Sequence, residues 1–255
     1  MVGLTMEDDL GGRDVLDILG QIPKAKRDVA RVLKCLRPLM PRSYSIASSP
    51  HQGDNKVDLC VATVRYELQG RKYGGVASTY LQDRVGRGDS VRGYFVRNKA
   101  FTLPEDTARP VIMVGPGTGI APFRGFLQEH SLQQYTSPMW LFFGDRNAQT
   151  DFLYREELEA FKKDGVLTKL DTAFSRDQKE KIYVQDRMRE NGQEFYEWLQ
   201  KGAALFVCGD AKHMAHDVDL SLREIVKTYG GMNSREVEAY IERMKREKRY
   251  VRDVY

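Results

Sequence analysis

Residues 111–122 read VIMVGPGTGIAP. Four apolar residues in a row, without the alternation of a half-wet strand, describe a β-strand covered on both faces. Glycines at 115, 117 and 119 then end the strand, and APFRGFLQEHSLQQY (121–135) has the spacing of a helix. Outward from this unit the pattern recurs. MWLFFGD (139–145) precedes the helical LYREELEAFKKDG (153–165), and LTKLDTAFS (167–175) precedes a helical stretch from about 184 to 200. ALFVCGD (204–210) then precedes the helical HMAHDVDLSLREIVKTYG (213–230). Four alternations of strand and helix predict a doubly wound parallel sheet. Ligands of such sheets bind at the carboxyl ends of the strands, so loops 115–120, 144–151, 174–185 and 209–217 form the candidate site.

Upstream of Pro110 the style changes. Residues 15–39, VLDILGQIPKAKRDVARVLKCLRPL, read as two short helices separated at Pro23. From residue 42 to about 103 come short β-rich runs: SYSIAS (43–48), KVDLCVATVRYEL (56–68) and DSVRGYFV (89–96). Turn residues in HQGDN (51–55) and LQGRKYGG (68–75) separate them, which predicts an antiparallel barrel or sandwich. GVASTYLQDRV (75–85) reads as one short helix within it.

At 255 residues the chain has room for two modest domains, and 41% hydrophobic with 30% charged residues exclude a disordered chain. A net charge of +4 from 40 basic and 36 acidic residues is too weak to argue for nucleic acid. No apolar run approaches the roughly 18 residues of a membrane span. The opening MVGLTMEDDLGGRD is acidic where a signal peptide is basic and apolar. Cys35, Cys60 and Cys208 are widely separated, so neither a disulfide nor a metal is called for, and the expectation is a reducing cytoplasm. His213 and His216 make a weak metal case against a solvated helix face.

The glycine loop suits a phosphate, since glycine lets a ligand approach free backbone N–H groups at a helix start. Gly117 and Thr118 are its candidate contacts. Ile120 stands where the dinucleotide fingerprint GxGxxG needs glycine, and the GK[ST] of a Walker loop is absent, so a plain tight turn is an equal reading. FSRDQKEKIYVQ (174–185) adds Ser175, Arg176 and Lys181 after the third parallel strand, the hydroxyl, guanidinium and ammonium that a ribose 2′-phosphate requires. An acidic residue is expected there for NAD. Cys208 ends the next strand, facing the same cleft or serving as a buried core thiol. PRSYSIASSP (41–50) places Arg42 and Tyr44 on one side of a strand, a guanidinium for a pyrophosphate and a ring for a flavin. The helix opened by YGGVASTYL (73–81) offers N-terminal amides to the same pyrophosphate. The chain ends on an aromatic residue, Tyr255, either tucked against a neighbour or stacked on a flat ligand.

In this order PRSYSIASS, GGVAS, VGPGTGIAPFRGFLQ, LFFGDRN, FSRDQKEKIYVQDRM, FVCGDAKHMAHDV and RYVRDVY resemble the FAD- and NADPH-binding reductase module of the diflavin reductases, most closely its sulfite-reductase branch. The resemblance runs from about residue 13 to the end. It implies an antiparallel FAD-binding β-barrel at 41–108, with its closure left open, and a doubly wound parallel-sheet NADPH-binding α/β domain at 109–255. Residues 1–40 become the remnant of a helical connecting region. Implied FAD contacts are Arg42, Ser43, Tyr44, Ser45, Cys60, Val61, Ala62, Tyr66, Gly75, Val76, Ala77, Ser78 and Tyr255. Implied NADPH contacts are Ser175, Arg176, Lys181, Ile182, Tyr183, Val184, Gln185 and Asp217. Ser45, Cys208 and Asp253 are the implied aids to hydride transfer, and Tyr255 is expected to cover the flavin face. No counterpart of the family's FMN-binding flavodoxin-like domain is seen, so FMN is expected only from such a domain or a partner. A sulfite-reducing haemoprotein is the implied electron acceptor. Two alternatives stand beside this reading: a docking subunit that holds the haemoprotein with little turnover, and a reductase serving another cytochrome or flavodoxin.

Overall fold

The computed structural model describes residues 15–20, 28–53, 55–68 and 70–255. The break expected at Pro23 lies outside them. They divide into two compact units, the described residues of Met1–Ser43 with Thr63–Val91, and Tyr44–Ala62 with Arg92–Tyr255.

The first unit contains α1 (Val15–Gly20), α2 (Val29–Cys35), β1 (Arg65–Leu68), β2 (Arg71–Gly74) and α3 (Val76–Asp83). Helix α2 begins where the Asp28 carboxylate accepts from Ala30 N and Arg31 N, an N-cap that satisfies two donors the helix leaves unpaired. Strands β1 and β2 form an antiparallel ribbon in which Tyr66 and Tyr73 are directly opposite, their rings stacked 5.2 Å apart. Helix α3 is fastened through Val64, whose N–H donates to Ser78 Oγ at 3.1 Å and whose carbonyl accepts from Gly75 N at 2.9 Å. Ser78 is the one buried residue among those described in this unit.

The β-rich reading of residues 43–96 holds in part. The runs SYSIAS and KVDLCVATVRYEL meet at one isolated antiparallel bridge, Ile46 with Leu59, and β1 emerges only at the end of the second. DSVRGYFV forms no strand, and Tyr94, Phe95 and Val96 are each more than 70% exposed. A strand exists through its neighbour's hydrogen bonds and one buried face, and among the described residues this run has neither.

The second unit is built on β3 (Val111–Val114), β4 (Met139–Asp145), β5 (Lys169–Phe174), β6 (Ala204–Gly209) and β7 (Tyr250–Val254). All four pairings are parallel and the order is β5-β4-β3-β6-β7. The helices are α4 (Ala121–Leu132), α5 (Ala148–Asp151), α6 (Arg155–Lys163), α7 (Val184–Glu190), α8 (Gly192–Gln200), α9 (Met214–Gly230) and α10 (Ser234–Arg246). The doubly wound sheet is therefore as the apolar runs require, and its strands sort their side chains by parity. Ile112, Val114, Trp140, Phe142, Leu205 and Val207 join one core with residues of α7, α8, α9 and α10. Val111, Met113, Met139, Leu141, Phe206 and Cys208 join the other, with Phe123 and Leu127 of α4 and Leu158 of α6. Each such large side chain contributes roughly 1.5–3 kcal/mol on burial.

Two features go beyond the sequence pattern. The helical stretch expected over 184–200 is two helices meeting at Asn191, whose amide donates to Arg187 O and Asp171 Oδ1. After α10 the chain adds β7 at the sheet edge, so the sheet has five strands and the chain ends beside β6.

Candidate functional site

Strand order reverses between β3 and β6, because the chain leaves β3 for β4 and β5 and then returns to β6 on the other side. A crevice at such a switch point is where open α/β sheets take ligands. The glycine loop lies there. Gly117 has φ 54°, and a 3₁₀ turn over Gly117–Ile120 leads directly into α4. A Cβ on Gly119 would lie 2.2 Å from the carbonyl oxygen of Cys208, so only glycine lets the loop cross β6 this closely. At Gly117 the nearest atom to an added Cβ is Asp145 Oδ2 at 3.8 Å, leaving the outer side of the loop open.

At the end of β6 three candidate residues come together. Cys208 and Asp253 are register partners on β6 and β7. Ser45 Oγ donates to Asp253 Oδ2 at 3.0 Å and also lies within hydrogen-bond reach of the Cys208 thiol. Burial, reinforced by the Asp253 charge, pushes the Cys208 pKa up to about 12, so the thiol is neutral at physiological pH. Cys208 is fully buried in a hydrophobic core and also touches the polar pair.

Tyr255 follows β7. Its N–H donates to Gly209 O and its carbonyl accepts from Ala211 N, while its hydroxyl is 3.0 Å from Thr118 Oγ1 in the glycine loop. The backbone is tied down and the side chain remains 64% exposed. Cys60 is half-buried and shares a hydrogen bond with Tyr154, whose own pKa is pushed up to about 12 by burial and that contact. Nothing in FLYREE marks Tyr154, yet it holds the left-handed backbone at φ 56°. Tyr44 is half-buried, Val61 is half-buried and Ala62 is exposed.

The remaining flavin candidates fall in the first unit. Arg42 Nη1 donates to Met40 O at 2.8 Å, and Ser43 is exposed. Gly75 is the N-cap of α3 with no side chain over the end, and Val76 and Ala77 form its first turn. Tyr66 is 53% exposed beside its stacked partner, so it still presents a face.

The nucleotide candidates gather after β5. Ser175 is anchored to Asp145 O through its N–H at 2.9 Å and its hydroxyl at 3.3 Å. Arg176 and Lys181 are exposed, and neither side chain has a hydrogen bond or ion pair among the described residues. Tyr183 caps α7 with Asp186 and is 43% exposed, Ile182 is half-buried, and Val184 and Gln185 are buried. Gln185 Nε2 donates to Asp217 Oδ2 at 3.3 Å, joining α7 to the first turn of α9. His213 and His216 are exposed, and no cluster of three or more metal-ligating side chains occurs among the described residues. No described helix is long and apolar enough to cross a membrane. In the second unit, the open glycine cradle and the cations after β5, unpaired among the described residues, have the chemistry that a dinucleotide's phosphates need. In the first, the exposed Tyr66 ring has the chemistry that a flavin needs.

Comparison with known proteins agrees. Residues 113–220 match the family described as the oxidoreductase NAD-binding domain, and residues 10–80 match the FAD binding domain family. The chain thus carries one stretch similar to FAD binding domains and, after it, one similar to oxidoreductase NAD-binding domains, which agrees with FAD and a nicotinamide nucleotide as its cofactors. Among curated proteins, the sulfite reductase [NADPH] flavoprotein alpha-component of Bacillus subtilis (strain 168) is 48% identical over 96% of this chain. Those of Cronobacter sakazakii and Escherichia coli (strain K12) are 45% and 47% identical over 98% and 91% of the chain. The chain spans about 40% of the length of these relatives. The resemblance to the diflavin-reductase module, and to its sulfite-reductase branch, is borne out.

Proposed function

We propose that this chain accepts hydride from NADPH onto FAD and passes the electrons toward an FMN-binding flavodoxin-like domain or protein, and from there to a sulfite-reducing haemoprotein. The observation that carries the reading is the meeting of Ser45, Cys208 and Asp253 at the switch point, one strand away from the glycine loop. FAD supplies the two-electron chemistry when bound, taking up a hydride and releasing electrons one at a time. The chain's residues provide position and electrostatics. Arg176 and Lys181 are free to pair with the 2′-phosphate that distinguishes NADPH from NADH, with Ser175 beside them. The glycine loop and the start of α4 receive the pyrophosphate. Asp253 is the one charged member of its trio, since Cys208 holds its proton, and a carboxylate there favours positive charge developing on a ring that gives up hydride. Ser45 keeps its proton directed at Asp253. Tyr255 stands beside Thr118 as a displaceable cover.

The test is to purify the chain, supply FAD, and add NADPH without oxygen. Bleaching of the flavin band by NADPH, and far more slowly by NADH, is the expected result. A chain that holds flavin but is not reduced by either nucleotide overturns the proposal; a colourless chain that still captures the haemoprotein points to a docking subunit instead.

A further inference from the structure

Helix α4, which begins at the glycine loop, carries one cation that the proposed chemistry does not use. The Arg124 side chain is 13% exposed. Its Nη1 donates to Ala47 O at 2.7 Å and to Asp58 Oδ2 at 2.7 Å, and its Nε donates to Glu157 Oε2 of α6 at 2.7 Å. The guanidinium lies 4.8 Å from the centre of the Tyr154 ring. Ala47 and Asp58 are themselves joined, Ala47 N donating to Asp58 O at 2.8 Å, and the next pair outward is the Ile46–Leu59 bridge. One planar fork therefore grips both limbs of the segment that has Ser45 at one end and Cys60 at the other.

The surroundings reinforce this grip. Ser49 N donates to Gln128 Oε1 at 3.1 Å, and Gln128 Nε2 donates to the same Glu157 at 3.0 Å. A Cβ on Gly125 would lie 3.2 Å from Ser48 O, so α4 approaches the segment backbone closely. The segment's own ladder is a single bridge, supplemented by Asp58 N donating to Ser48 Oγ at 3.0 Å and by the contacts of Ser49 Oγ and His51 with Glu129 of α4. Among these bonds Arg124 alone reaches both limbs from α4. An ammonium cannot replace the fork, since its donors do not lie in one plane at fixed spacing.

We infer that Arg124 is a positioning residue: its guanidinium sets the register of Tyr44–Ala62 against α4, and so holds Ser45 at Asp253 and Cys60 at Tyr154. Only the kinetic readout of the test below rests on the proposed function. The full chain is compared with R124A, R124K and D58N, the last removing a 42% exposed partner and so sparing the fold. R223A serves as control, because Arg223 joins α9 to α10 through Asp219 and Glu238, with no bond to the segment. Without any cofactor, amide hydrogen exchange at Ala47 and Asp58 is expected to quicken severalfold in R124A and R124K, less in D58N, and not in R223A. With FAD bound, kcat for NADPH oxidation is expected to fall about 10- to 100-fold in R124A while KM for NADPH stays in place, as for a misplaced group near the reacting atoms. Lysine should not rescue it. Unchanged exchange at both amides, or a loss of kcat in R223A equal to that in R124A, overturns the inference. Faster exchange in an R124A chain whose parent never reduces flavin upholds the clamp and removes the proposed function alone.

Discussion

Arg176 and Lys181 differ from the arginines around them in having nothing to hold. Arg187 is paired with Glu190 at 2.7 Å, and Arg189 with Asp186 and Glu224. A cation left free at the carboxyl end of a parallel strand is available to a ligand phosphate, and a charge-assisted hydrogen bond contributes about 1.5–3 kcal/mol. Replacing both residues with alanine is therefore expected to lower kcat/KM for NADPH by about 100-fold or more while NADH use barely changes; steady-state kinetics with both nucleotides measures this. At Cys208 the argument concerns a proton. The folded state raises its pKa from 9.0 to about 12, so the unfolded chain loses this proton first as pH rises. The stabilisation is complete below pH 9 and is lost between there and about 12. C208A should remove that part of the alkaline slope in denaturation curves, and should slow flavin reduction while FAD remains bound. If reduction per folded molecule is unchanged, the thiol serves the core alone.

At the scale of elements, the glycine loop and β7 have to fit each other. Gly119 passes over the Cys208 carbonyl with no room for a methyl group, and the register partner of Cys208 on β7 is Asp253. G119A must displace either the loop or the end of β6. We expect a loss of nucleotide binding together with a lowered Tm, measured by isothermal titration and thermal melting, whereas alanine at the less crowded Gly117 should mainly add backbone strain at φ 54°. Strand β7 delivers Tyr255 to Thr118, and the hydroxyl contact is one exposed hydrogen bond. Such a contact, with ring stacking of about 0.5–1.5 kcal/mol, is weak enough for a nicotinamide to displace. Deleting Tyr255 should tighten nucleotide binding, relax discrimination against NADH and slow NADP⁺ release in stopped-flow traces. Unchanged affinities for both nucleotides would reduce the ring to a surface residue.

Across the whole molecule the two units are unequal. Both hydrophobic cores belong to the second, while the first buries only Ser78 among its described residues. Amide exchange should therefore be fast over 63–91 and slow in β3, β4 and β6. FAD at a hundredfold excess over its Kd should add about 2.7 kcal/mol by linkage, and protection of Tyr66 and Gly75–Ser78 should rise with it. The sequence by itself determined the parallel sheet, because strands covered on both faces leave unbroken apolar runs such as VIMV and MWLFFGD. It also marked the loops proposed to take ligands, since the glycine loop follows β3 and the Arg176–Lys181 cluster follows β5, each as one continuous stretch of sequence. The edge strand YVRDV carried no such signal: it has one neighbour, and Arg252 within it is exposed. Only the tertiary structure brought Ser45 to Asp253 across 208 residues, Arg124 to Ala47 across 77, and Tyr255 to Thr118 across 137. Local periodicity records which face of an element is buried; it does not record which distant side chain will meet it there, because that is set by the order in which strands are laid into the sheet.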